Sequence, residues 1–137
     1  MTKWAQSLIR LSTYEVETLQ KRLAEVVTRR THAEMKIATL AAEYELECVR
    51  SAADPALGHS LTAYKRGYKM RRDTIQTELD LVSHEEEGVR DQLAHAFEDL
   101  KKFEHVAELS HLRRLAAEKK AENAALDEVA LRMARPA

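Results

Sequence analysis

The chain has 137 residues, with 22 Lys and Arg against 23 Asp and Glu, so a third of it is ionisable while the formal charge is only -1. That balance exerts no overall pull towards nucleic acid or an anionic membrane. Three Gly and two Pro exclude a sheet with several turns, and the 45% apolar content, spread as Ala, Leu and Val with 5% aromatics, is the composition of long helices rather than of a thick core.

The first ten residues, MTKWAQSLIR, hold no uninterrupted apolar run, which predicts neither a signal peptide nor a membrane anchor. A single cysteine, Cys48, permits no internal disulfide and suits a reducing compartment. A soluble, cytoplasmic protein is expected. Apolar residues then recur in steps of four and three: Trp4, Leu8, Leu11, and after a gap Leu19, Leu23, Val26, Arg30, Ala33, Ile37, Leu40 and Tyr44. This is the a/d seam of a coiled coil with Arg30 as a charged intrusion. The gap from Leu11 to Leu19, two steps of four through Glu15 with Val16 beside it, reads as a stutter. A first helix over about 4–50 follows.

Residues 51–60, SAADPALGHS, hold most of the helix breakers and are expected to form the turn, with Asp54 before Pro55, or Ser60, capping the next helix. A second helix over about 61–133 carries the seam through Leu61, Tyr64, Tyr68, Arg71, Ile75, Leu79, Val82, Glu86, Val89, Leu93, Ala96, Leu100 and Phe103, with a second stutter at Arg71, Ile75 and Leu79. The expected fold is all-α: one domain, 1–137, of two helices in an antiparallel coiled-coil hairpin, the second longer and overhanging at its C-terminus. Residues whose numbers sum to about 110 should face one another, which sets Trp4 near Val106 and leaves about thirty residues without an internal partner. With Leu109, Leu112, Leu115, Leu126 and Leu131 exposed, that overhang either binds a partner, pairs with its own copy or frays. Residues 64–72, YKRGYKMRR, carry five bases and no acid, whereas 81–100 carry six acids and one base. Such bands steer a charged partner or simply face solvent.

Chemistry is sparse. Gly58, Gly67 and Gly88 form no phosphate loop, and a two-helix hairpin offers no pocket in which acid, base and nucleophile converge. Of the six histidines only Glu108-Leu109-Ser110-His111 has a Glu-x-x-His spacing, half of what a di-metal bundle needs on its histidine-bearing helices. No enzyme activity, metal or cofactor is expected. Tyr64 and Tyr68 fall on the seam, so the basic stretch around them is not read as a nucleic-acid site.

The chain resembles the FliJ family, cytoplasmic coiled-coil components of flagellar type III protein export. The likeness lies in Trp4, Leu8, Leu11, Glu15-Val16, Leu19 and Leu23, in Ala33-Glu34, Leu40 and Tyr44, and in the Asp54–Gly58 turn. It continues through Tyr64, Ile75, Leu93, Ala96 and Leu100-Lys101-Lys102 into the Arg, Glu and Ala tail around 116–123. The resemblance implies a non-enzymatic, stalk-like coiled coil that binds the hexameric FliI-type export ATPase and promotes its assembly. It also implies contacts with the export gate protein FlhA, with FliH and with export chaperones, and a place in the cytoplasm peripheral to the inner membrane at the flagellar base. By the same resemblance Trp4, Leu8, Leu11, Leu109, Leu112, Leu115, Leu126 and Leu131 would face the ATPase, and Tyr68, Arg72, Ile75 and Leu79 the gate. The alternative is a generic coiled-coil adaptor or chaperone for unfolded or secreted clients. A prefoldin-like chaperone would need two helices of nearly equal length, and the unequal lengths here count against it.

Overall fold

The structure is a computed structural model and describes residues 3–135. Two long helices account for nearly all of it: α1 over Lys3–Ala53 and α2 over Gly58–Ala134, joined by the single 3-10 turn Pro55–Leu57. They pack against each other as an antiparallel helical hairpin, as the periodicity predicts. Threonines, usually poor inside helices, are tolerated because Thr13, Thr28, Thr31, Thr74 and Thr77 each donate a hydroxyl hydrogen bond to the carbonyl four residues back.

The connection is tighter than residues 51–60. Asp54 alone leaves the helical conformation, at φ -134° and ψ 106°, and its carboxylate accepts the Ala56 N–H at 3.0 Å while Pro55 fills the first position of the turn. The Leu57 N–H donates to the Asp54 carbonyl at 3.1 Å. Gly58 continues straight into α2 at φ -59°, ψ -40°, and Ser51–Ala53 still belong to α1. Glycine and serine only weaken a helix, whereas proline strongly disfavours a helical conformation at the residue before it, so the break contracts onto Asp54-Pro55.

Contacts divide the chain into two units, one of Met1–Glu17 with Ala94–Ala137, the other of Thr18–Leu93. In the first, Ala5, Ser12 and Val16 are buried on α1 and Ala96 and Ala107 on α2, with Ile9, Leu100 and Phe103 half-buried. This corrects the expected seam. Trp4 is 56% and Leu11 66% exposed, and the residues one place on, Ala5 and Ser12, take the inward positions. Ala5, Ile9, Ser12, Val16 and Leu19 step by four and three without a gap, so α1 has no stutter there. The inward row in these turns is built of small residues, and large apolar side chains on the flank imitate it. Ile9 lies beside Ala107 and Glu108, so Val106 is not Trp4's counterpart.

In the second unit Leu23, Val26, Val82 and Val89 form the core cluster, with Ala33 and Leu40 buried further along α1. The largest fully buried side chains are valines, which makes a thin core held by length. The stutter on α2 is real. Tyr68, Ile75, Leu79, Val82, Glu86 and Val89 turn inward while Arg71 is exposed, an eleven-residue interval from Tyr68 to Leu79 against unbroken heptads on α1. Its effect is visible in the pairing: Tyr44 meets Tyr68 and Arg30 meets Glu86, so eighteen residues of α2 run beside fourteen of α1.

Candidate functional site

Binding surfaces are the candidate sites of such a fold. Among the described residues no group of three or more His, Cys, Asp or Glu side chains converges, and no helix is long and apolar enough to cross a membrane.

In the unit of Met1–Glu17 and Ala94–Ala137, packing on α2 ends at buried Ala107 and half-buried Ser110, and every residue from His111 to Arg135 is exposed. The unpartnered stretch is therefore shorter than thirty residues. It remains α-helical to Ala134, braced along its own axis by ion pairs Arg114–Glu118 at 3.8 Å and Arg132–Glu128 at 3.1 Å, spaced four apart. Of the residues tied by resemblance to the ATPase, Leu109, Leu112, Leu115, Leu126 and Leu131 are exposed here, joined by Val129 and Met133. Trp4 and Leu11 are exposed on α1, with Tyr14 beside them, while Leu8 is half-buried. An open groove lies between the two helices, lined by Ile9, Glu104, Ala107, Glu108 and His111.

In the unit of Thr18–Leu93 the residues tied to the gate do not share one exposed strip. Tyr68, Ile75 and Leu79 are half-buried and face α1, and only Arg72 is exposed. Tyr68 stacks on Tyr44 with ring centroids 4.2 Å apart and planes 13° from parallel, and Tyr64 stacks on the same ring at 6.2 Å. The Arg71 guanidinium lies 5.8 Å from the Tyr64 ring and that of Arg72 5.9 Å from the Tyr68 ring. The basic stretch is thus anchored on an aromatic layer that the hairpin consumes for its own packing. A hydrogen bond with Cys48, then burial, hold the Tyr44 phenol above its usual range.

Beside this layer the stutter leaves open apolar grooves. One is lined by Met35, Lys36, Thr39, Leu40 and Ile75, a second by Leu40, Met70, Arg71, Thr74 and Ile75. Met35 and Met70 are exposed at their rims. Of the four gate candidates only Ile75 lines either groove. Met35, Leu46, Val49, Met70 and Leu81, all exposed, lie outside the a/d pattern of the seam, which carries the strongest apolar signal in the sequence. A second count at heptad spacing, Met35, Ala42 and Val49, would have found three of the outward positions on α1.

Such a molecule, two long helices with a thin seam, apolar residues on outer faces and a helical segment without an internal partner, is a coiled-coil binding protein by architecture. The chain belongs to the FliJ family: residues 5–137 match its model, described as flagellar FliJ protein. It is thereby a component of flagellar protein export. Flagellar FliJ proteins of two Caulobacter vibrioides strains, NA1000 / CB15N and ATCC 19089 / CIP 103742 / CB 15, are each 48% identical to it over 136 residues, which is 98% of this chain and 96% of theirs. No solved structure matches it significantly.

Proposed function

We propose that this chain is a non-enzymatic, stalk-like coiled coil that binds the FliI-type export ATPase, promotes its hexameric assembly and activity, and links it to the export gate protein FlhA, to FliH and to export chaperones. The observation that carries this reading is the helical segment of α2 beyond Ser110, exposed throughout and bearing Leu112, Leu115, Leu126, Val129, Leu131 and Met133. Exposed apolar side chains on an isolated helix are costly in water and call for a surface that covers them. A central opening in a ring-shaped partner is such a surface. Trp4 and Leu11 on α1 add further area on the same unit. For the gate, the grooves around Ile75 and Leu40, rimmed by Met35 and Met70, are the better docking place than the Tyr68, Arg72, Ile75, Leu79 row, because Tyr68 is spent on stacking.

The test is steady-state ATP hydrolysis by the cognate export ATPase with and without the full chain, with light scattering on the same samples to follow ring assembly. Stimulation with growth of the hexamer supports the stalk reading. No stimulation and no co-migration would sink it and advance the generic adaptor.

A further inference from the structure

A second heptad stripe runs along the exposed face of α1, where Met35 and Thr39 at its start also border the groove that Leu40 and Ile75 line. Within Thr18–Leu93 the inward positions are Ala33, Ile37, Leu40, Tyr44 and Ser51. Nearly opposite on the helix, steps of four and three pick out Met35, Thr39, Ala42, Leu46, Val49 and Ala53, and all six are exposed, Met35 at 62%, Leu46 at 67% and Val49 at 68%. An apolar row that keeps this spacing over nearly three heptads stays in contact only with another α-helix, because only a helix repeats its side chains at the same interval.

We propose that the occupant is the same stripe of a second copy of this chain, packed antiparallel about a two-fold axis between Thr39 and Ala42. Charge selects this partner and this register. Lys36 and Glu43 flank the stripe on one side, one heptad apart. With Thr39 of each copy opposite Ala42 of the other, Lys36 of each lies beside Glu43 of the other, giving two ion pairs of opposite charge. Sliding by one heptad, so that Ala42 meets Leu46, instead sets Glu43 against Glu43 and Lys36 against Arg50. The chosen register also places the small residues Thr39 and Ala42 at the centre, where backbones approach most closely, and closes each end with Met35 against Leu46. In the single hairpin Lys36 reaches Glu78 only at 3.9 Å, with both side chains about half exposed, so it is free to exchange partners. In this register the two stripes overlap from Met35 to Leu46, about 17 Å at 1.5 Å per residue, which makes the dimer weak and dependent on concentration.

Sedimentation velocity on the full chain, from low micromolar to about millimolar, tests this directly. The weight-average mass should climb from 15.6 kDa towards twice that value. Lys36→Glu alone and Glu43→Lys alone should each weaken association about tenfold, and the two together should restore it to within a few-fold of the starting protein. Leu46→Glu, at an exposed position, should abolish association while leaving the helical circular-dichroism signal and melting temperature unchanged. The inference is overturned if the chain stays at the mass of one copy throughout, even if its stripe captures a helix from another protein. It is equally overturned by a dimer indifferent to the charge reversals, or by single reversals that the double variant does not rescue.

Discussion

Arg30 on α1 and Glu86 on α2 form an ion pair inside the hairpin seam, where every neighbouring layer is apolar. The Glu86 side chain is only 7% exposed and also accepts from Arg90 at 3.1 Å, while Arg29 beside it pairs with Glu85 at 3.1 Å. A charged layer in a coiled-coil seam tolerates only one register, because any slip buries the carboxylate against valine. Removing one partner should therefore cost more than the pair is worth. Glu86→Ala is expected to lower stability by about 2 kcal/mol, less than a fully buried pair because Arg30 is partly exposed. Replacing both, Arg30→Leu with Glu86→Leu, should recover or exceed the starting stability while loosening the register. Urea unfolding of the two singles and the double checks the energies, and spin labels on facing helices check the register.

Tyr44 links the hairpin's stability to pH on the alkaline side. Its phenol is held above the ordinary value of 10.0 by the Cys48 hydrogen bond first and by burial second, so the folded chain favours the neutral ring. The unfolded chain ionises this tyrosine first, at about pH 10. The stabilising contribution is then fully present below that pH and is lost as pH rises through the raised folded value. Cys48→Ala removes the leading cause, and Tyr44 should then titrate nearer 10.0, read as tyrosinate absorbance against the Tyr44→Phe variant.

What was legible in the sequence was what repeats. About six consecutive turns of α1 announce themselves because Leu19, Leu23, Val26, Ile37 and Leu40 are larger and more apolar than their neighbours, and the Asp54-Pro55 step marks the break because the residue before proline disfavours the helical conformation. The first turns of α1 depart from their apolar pattern for the converse reason. Ala5 and Ser12 carry no signal of burial, whereas Trp4 and Leu11 do, and only the facing helix decides which row turns inward. The same ambiguity governs the candidate surfaces. Residues such as Tyr68 and Ile75 look like a contact strip until their partners Tyr44 and Leu40 are seen, and the outward methionines look like noise until the seam has been assigned.

Met70 separates recognition from packing. It is exposed at the rim of the groove that Leu40 and Ile75 floor, so its side chain contributes little to the seam. Met70→Glu is expected to change folding stability by no more than about 0.5 kcal/mol but to weaken binding to the export gate about tenfold or more, since a carboxylate would enter an apolar contact. Ile75→Ala, by contrast, should cost about 2 kcal/mol of hairpin stability and confound any binding measurement. Calorimetric titration of both variants with the cytoplasmic portion of the gate, alongside thermal melts, distinguishes the two roles; equal binding by Met70→Glu and the unaltered chain would remove this groove from consideration.

The end of packing at Ser110 fixes where a truncation is informative. Cutting after Phe103 would delete buried Ala107 and half-buried Ser110 along with the exposed segment, so a loss of function there would mix binding with stability. Cutting after His111 keeps the last inward residues and removes only exposed positions. The shortened chain should melt within about 2 °C of the full one, because exposed helix beyond the seam adds little tertiary stabilisation. Its stimulation of the export ATPase should nevertheless fall to the unstimulated rate, since Leu112, Leu115, Leu126 and Leu131 leave with the segment. Full stimulation by this variant would assign the ATPase contact to Trp4, Leu11 and the groove beside Ile9 instead. A shared loss of stimulation and of melting temperature would mean that the segment, exposed as it is, supports the hairpin itself.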